Sequence, residues 1–210
     1  MNQDIFKEFL YNDYDAIQRI IKDRRFDVNI QNQFGETPFM LACKNGYFDI
    51  VKYLFEKKKA NISVKSRGGF SPVIYACISG NIFIVKYLIE VCKASIFDRD
   101  TQNMDAFMYA CKCGHLEVVK YLHEEVKVNV TVKDKFDRTP LMFACVFGHI
   151  DVVEYLVNVV NVNVNDKDNK GVYAVNYACR IGYPNIIEFL AKHKARYCRW
   201  DDWHNTRIQI

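Results

Sequence analysis

The chain has 210 residues, 50% of them hydrophobic and 26% charged, with a formal net charge of +4. That much apolar material argues against a disordered chain, and so small a charge excess does not by itself argue for nucleic acid or membrane binding. No apolar run reaches the roughly 18–20 residues of a bilayer span, and the start, with Asp4, Lys7 and Glu8, lacks a signal peptide's basic region and unbroken apolar stretch.

The sequence repeats itself. Gly46, Gly80, Gly114, Gly148 and Gly182 are spaced by 34 residues, and Cys43, Cys77, Cys111, Cys145 and Cys179 keep the same interval. A fixed period in this range marks an array of stacked units, each burying its apolar face on its neighbours. Residues 1–31 form a degenerate, polar first unit, in which Asn12 stands 34 residues before Gly46 and tolerates its left-handed conformation. Full units follow at 32–65, 66–99, 100–133 and 134–167, then a C-terminal unit at 168–201 and a tail at 202–210; the whole reads as one domain.

Each full unit divides the same way. Thr37-Pro38, Ser71-Pro72 and Thr139-Pro140 open a short first helix, with the hydroxyl as cap and proline in the first turn. Asp105 can also cap, whereas Tyr173 cannot. The periodic glycine ends that helix. A second helix then runs over 48–55, 82–89, 116–123, 150–157 and 184–191, with an apolar stripe such as Ile150, Val153, Leu156 and Val157. Extended turns join one unit to the next. Residues Ala195 to Asp202 match these connectors in register, and Trp200 and Trp203 read first as a cap over the last helix pair, with a partner-binding aromatic pair or a longer array cut short as the alternatives.

The Thr-Pro, Ala-Cys, Gly-His and Val-Val-x-Tyr-Leu pattern resembles the ankyrin repeat, a β-turn followed by two antiparallel helices. The resemblance implies an all-α solenoid of stacked helix-turn-helix units with β-turn or hairpin connectors. Departures are visible. The extra residue of the 34-residue period falls near the end of the second helix, and the histidine of the family's Thr-Pro-Leu-His is replaced by Met40, Ile74, Met108, Met142 and Asn176. That replacement removes a hydrogen-bond partner of the threonine.

No chemistry is legible. There is no phosphate loop, nucleophile elbow or Cys-x-x-Cys, and Cys111 and Cys113 diverge on a helix. His115 and His149 read as structural residues of the turn; His123, His193 and His204 have no evident partner. The periodic cysteines read as small buried hydrophobes, since equivalent stacked helices sit about 8–10 Å apart, beyond the roughly 7 Å limit for a disulfide. No catalytic, metal or cofactor site is expected, and the chain is expected to be cytoplasmic or nuclear, not secreted. The column Tyr53, Tyr87, Tyr121, Tyr155 and Phe189 reads as packing between units. Lys65, Arg99, Lys133 and Lys167, beside Asp100, Asp134 and Asp168, read as solvated turns.

The resemblance implies a non-catalytic interaction module (scaffold, adaptor or inhibitor), monomeric, that binds a partner protein on its concave face. The alternative is a regulatory region of a larger protein whose functional domain lies elsewhere. Mapped onto this sequence, the concave turn tips hold Phe34, Arg67, Phe70, Met104, Phe136 and Arg138, and the exposed first-helix positions hold Lys44, Ile78, Lys112, Val146, Phe147 and Arg180. Aromatic and cationic residues together compose binding hot spots, which points to an acidic, partly apolar segment as ligand. The competing reading packs these phenylalanines on neighbouring turns.

Overall fold

The caps expected from the sequence are made. In a computed structural model that describes residues 4–197, side-chain oxygens of Thr37, Ser71, Asp105 and Thr139 accept from the amides three residues on, at 3.3, 3.5, 3.0 and 3.4 Å. They start the first helices α3 (Pro38–Lys44), α5 (Pro72–Ser79), α7 (Ala106–Cys113) and α9 (Pro140–Phe147). The lost family histidine is partly compensated. The sulfurs of Met40 and Met142 accept from the backbone amides of Thr37 and Thr139 at 3.5 and 3.4 Å, a weak acceptor in place of a ring nitrogen. Tyr173 contributes no side-chain cap, as expected; ahead of α11 (Ala174–Ile181), the Asn176 side chain accepts from its amide instead, at 3.3 Å.

Twelve α-helices are present among the described residues, with α1 (Asp4–Tyr11) and α2 (Tyr14–Lys22) forming the first unit. The second helices are α4 (Phe48–Glu56), α6 (Ile82–Lys86), α8 (Leu116–Glu124), α10 (Ile150–Asn158) and α12 (Pro184–Lys192). Asn12 takes φ 56° at the end of α1, and Gly114 and Gly148 take φ 76° and 80° at the ends of α7 and α9. Glycine is required twice over at the latter two. A Cβ there would lie 2.4 Å from the His149 ring or 2.6 Å from the Tyr183 ring. His149 earns its structural reading through the same approach, since its Nε2–H donates to the Lys112 carbonyl at 3.0 Å.

The extra residue of the period is absorbed by one hydrogen-bonding choice. The amides of Ala60, Ala94, Val128 and Val162 close onto the carbonyls of Leu54, Leu88, Leu122 and Leu156, six residues back, at 2.9–3.1 Å. Just inside, the amides of Lys58, Cys92, Val126 and Val160 reach carbonyls five residues back, a π-type turn. After α6 this widening occupies a whole π-helical segment, Tyr87–Val91. Lys59, Lys93, Lys127 and Asn161 take up the left-handed conformation, φ 57–60°, that reverses the chain. The last unit departs from the expected register. Ala195 closes onto Leu190, only five residues back, and the left-handed residue is Lys194 rather than Ala195, so this turn is one residue shorter.

The chain divides into two compact units, Met1–Thr101 and Gln102–Ile210. In the first, α1, α3 and α5 pack in a row with their partner helices α2, α4 and α6 against them. In the second, α7, α9 and α11 form the row and α8, α10 and α12 back it. Ile17, Phe39, Leu54 and Leu88 fill the first core, and Phe107, Leu122, Leu156 and Leu190 the second. Cys43, Cys77, Cys111 and Cys145 are fully buried, and burial pushes the Cys43 and Cys145 thiols far up. In the tyrosine column Tyr87, Tyr121 and Tyr155 are buried and Tyr53 and Phe189 half-buried, and within each compact unit a hydroxyl reaches the preceding repeat, Tyr87 donating to Glu56 and Tyr155 to Glu124, at 2.9 and 2.7 Å. No helix among the described residues is long and apolar enough to cross a membrane. The Trp200 and Trp203 reading, Asp202 and His204 lie outside the described residues.

Candidate functional site

The turn tips are built by a buried polar column. Asp134 accepts from the amides of Phe136 and Arg138 at 2.9 and 2.8 Å, Asp168 from Lys170 and Val172 at 2.9 and 2.8 Å, and Asn32 from Phe34 and Glu36 at 2.9 Å. These aspartates are therefore the organisers of their turns, not solvated neutralisers of the neighbouring lysines: Asp100, Asp134 and Asp168 are only 3–8% exposed. Successive tips are stitched by single main-chain bonds. Arg67 donates to Phe34 and Thr101 to Gly68 in the first unit; Lys135 donates to Gln102 and Asn169 to Phe136 in the second. The connectors are turns with one isolated β-bridge, Lys167 to Tyr173, rather than hairpins of extended strands, among the described residues.

That construction corrects the expected exposure of one column. Met104 is 3% exposed and Val172 2%: both apolar side chains are buried, whereas Arg138, at the same register and with the same amide bond to its column aspartate as Val172, stays half-buried. Glu36, in the same register, is buried as well, and Phe70 is half-buried with its ring stacked on Tyr75 at 5.3 Å. Phe70 therefore packs, but on the first helix of its own repeat rather than on a neighbouring turn. Phe34 and Phe147 do not; they are 59% and 40% exposed.

Two open grooves collect nearly all the expected residues. One in the first unit encloses about 820 Å³ and is lined by Phe34, Lys44, Arg67 and Phe70 together with Glu36 and Tyr75. Another in the second unit encloses about 350 Å³ and is lined by Met104, Lys112, Phe136, Arg138, Val146, Phe147 and Arg180 together with Tyr109, Phe143 and Tyr177. Ile78, half-buried on α5, lines neither groove. The sequence reading missed the column Tyr75, Tyr109, Phe143 and Tyr177; its 34-residue recurrence was the available signal.

The grooves differ in electrostatics. In the first unit Lys44 meets Glu36 at 3.6 Å, and the Glu36 carboxylate also accepts from Tyr75 at 2.6 Å and Asn32 at 2.8 Å. Burial pushes the Glu36 carboxyl up, but these hydrogen bonds and the Lys44 charge outweigh it and hold it below its ordinary value. In the second unit Arg138 occupies the position that Glu36 holds in the first, and Asp134 takes up its guanidinium at 2.7 Å. Lys112 and Arg180 pair with no carboxylate among the described residues. The Lys112 ammonium sits 5.4–6.0 Å from the Tyr109, Phe143 and Phe147 ring centres, and the Arg180 guanidinium lies 5.9 Å from that of Tyr177. Burial, reinforced by Asp168 at 2.6 Å, pushes the Tyr177 hydroxyl up, so it stays protonated. No group of three His, Cys, Asp or Glu side chains among the described residues could hold a metal ion.

A sequence model of one family, ankyrin repeats in three copies, matches residues 7–100, 60–134, 90–168 and 107–201. No curated protein matches the chain.

Proposed function

The chain belongs to the ankyrin repeat family, whose members are generally protein–protein interaction modules and typically non-catalytic, and on that premise we propose that it binds a partner protein through its turn tips and first helices. The ligand of this reading is an acidic, partly apolar segment, held without cofactor or metal by a monomeric scaffold, adaptor or inhibitor. One observation carries it: the second-unit groove joins cations without carboxylate partners to exposed and half-exposed aromatic rings. Such surfaces supply both steering charge and anchoring area. The completely buried thiols of Cys43, Cys77, Cys111 and Cys145 support a reducing compartment, cytoplasmic or nuclear.

The test is affinity capture from lysate of the source cell, comparing the native chain with a folded variant carrying K44E, K112E and R180E. Partners held by the native chain and lost by the variant support the reading. Partners retained equally move binding to another face, and capture of nothing by either protein removes the interaction reading.

A further inference from the structure

Most guanidinium groups in a folded protein find acceptors, and a buried donor left without one is costly. Arg180 is an exception. Its Nε and Nη2 atoms are buried and have no hydrogen-bond partner. These two atoms form one edge of the planar guanidinium, and their N–H bonds run parallel. That edge matches the two oxygens of a carboxylate and forms the bidentate pair characteristic of arginine.

The surroundings fit the same ligand. Arg180 lines the 350 Å³ groove of the second unit, together with the Lys112 ammonium and the rings of Phe143 and Phe147. The acids nearby are committed elsewhere, Asp134 to Arg138 and Asp168 to Tyr177, at 2.7 and 2.6 Å. The contrast with the first unit is informative. There the residue in the Arg138 register is Glu36, which already neutralises Lys44 at 3.6 Å. The first unit carries its own carboxylate in its groove; the second lacks one and keeps the cations that would receive it.

We infer that the second-unit groove is a receptor for one carboxylate side chain of a peptide segment, taken side-on by Arg180, whose covered Nε–Nη2 edge turns into the groove to meet it beside Lys112, with a neighbouring apolar side chain against Phe136 and Phe147. This rests on the interaction reading above and sharpens it to one anion at one arginine. The groove is too small for more than a few side chains, so the recognised feature is a short acidic–apolar pair rather than an acidic tract. Affinity then depends on the geometry of two parallel hydrogen bonds as well as on charge. Lysine at position 180 keeps the charge and loses the edge.

The probe is a library of random twelve-residue peptides displayed on phage and selected on the full chain at low salt. Enriched peptides are synthesised and their Kd values measured by fluorescence anisotropy. The expected result is an Asp or Glu within two residues of an aromatic or branched apolar residue. Changing that acid to its amide weakens binding by about 10- to 100-fold, the range of a charge-assisted hydrogen-bonded pair. R180K and K112Q weaken it comparably, while K127Q, which removes a charge outside the groove, does not. The amide change needs no protein variant, so a misfolded R180K leaves the proposal falsifiable. Enriched peptides without an acid, or peptides indifferent to R180K in a folded protein, overturn the carboxylate site and leave the interaction reading standing. Tighter binding when the acid is replaced by phosphoserine reassigns the edge to phosphate and overturns the carboxylate. Enrichment of no peptide overturns this inference, whereas the interaction reading falls only if the capture experiment also yields nothing.

Discussion

The hydroxyl of Tyr75 donates a 2.6 Å hydrogen bond to Oε1 of Glu36, 39 residues earlier in the chain. The pair joins a first helix to the preceding turn tip, so its loss is felt by two repeats at once. E36Q is expected to lose about 1.5–3 kcal/mol of stability at neutral pH, the worth of hydrogen bonds to a charged group. The pH dependence has a definite sign. The folded-state value of Glu36 lies below its ordinary 4.5, so its contribution is fully present above that pH and is lost as the pH falls through the lower folded value. Urea unfolding of both proteins as the pH is lowered should show the gap between native and E36Q narrowing; a constant gap would refute the assignment.

Asp134 accepts from two turn amides and from Arg138, while being 3% exposed. Removing it strands a partly buried guanidinium and two amides. D134A should therefore cost about 3 kcal/mol, within the range for breaking a buried pair. Equilibrium urea unfolding checks the figure, and a cost under about 1 kcal/mol would mean that water replaces the carboxylate.

Gly114 and Gly182 separate backbone strain from steric contact. Both have positive φ, 76° and 93°, but a Cβ on Gly114 meets the His149 ring at 2.4 Å and one on Gly182 meets nothing within 4 Å. G182A is expected to cost about 1 kcal/mol from the left-handed backbone alone. G114A should cost about 2–4 kcal/mol once displacement of the ring is added. Equal thermal shifts in the two variants would show that the His149 approach is unimportant.

Lys127 is exposed and left-handed, φ 60°, at the reversal after α8. A side chain gains nothing there. K127G should stabilise the chain by about 0.5–1 kcal/mol by relieving the backbone, measured as a raised urea midpoint with unchanged slope.

The sequence disclosed the array because glycine and cysteine carry steric information that survives in one letter. Asn12 was readable as a worn glycine for that reason, and Thr37, Ser71, Asp105 and Thr139 were readable as caps. What was hidden depends on hydrogen-bond geometry. Nothing in Lys59 or Lys127 says that the turn before it closes over six residues, and nothing in Met104 says that its side chain is buried at the tip. The site was half legible for a related cause. Its cations and exposed phenylalanines were visible as residue types, but the neutralisation of Lys44 by Glu36, and the lack of any such neighbour for Arg180, are facts of distance.

Tyr75 and Tyr109 were passed over because an aromatic in a buried helix reads as core. They are core residues whose rim faces a groove, a double role that only coordinates separate from ordinary packing.

The six-residue closure makes the internal repeats interchangeable parts. A segment cut from Gly46 to Gly80 and one cut from Gly114 to Gly148 carry the same overhang and enter and leave through equivalent left-handed residues. Such cassettes can be shuffled or duplicated without shifting any downstream helix face. The final unit, closing over five, cannot join that exchange: duplicated internally, it would advance everything after it by one residue and rotate each following stripe away from its core.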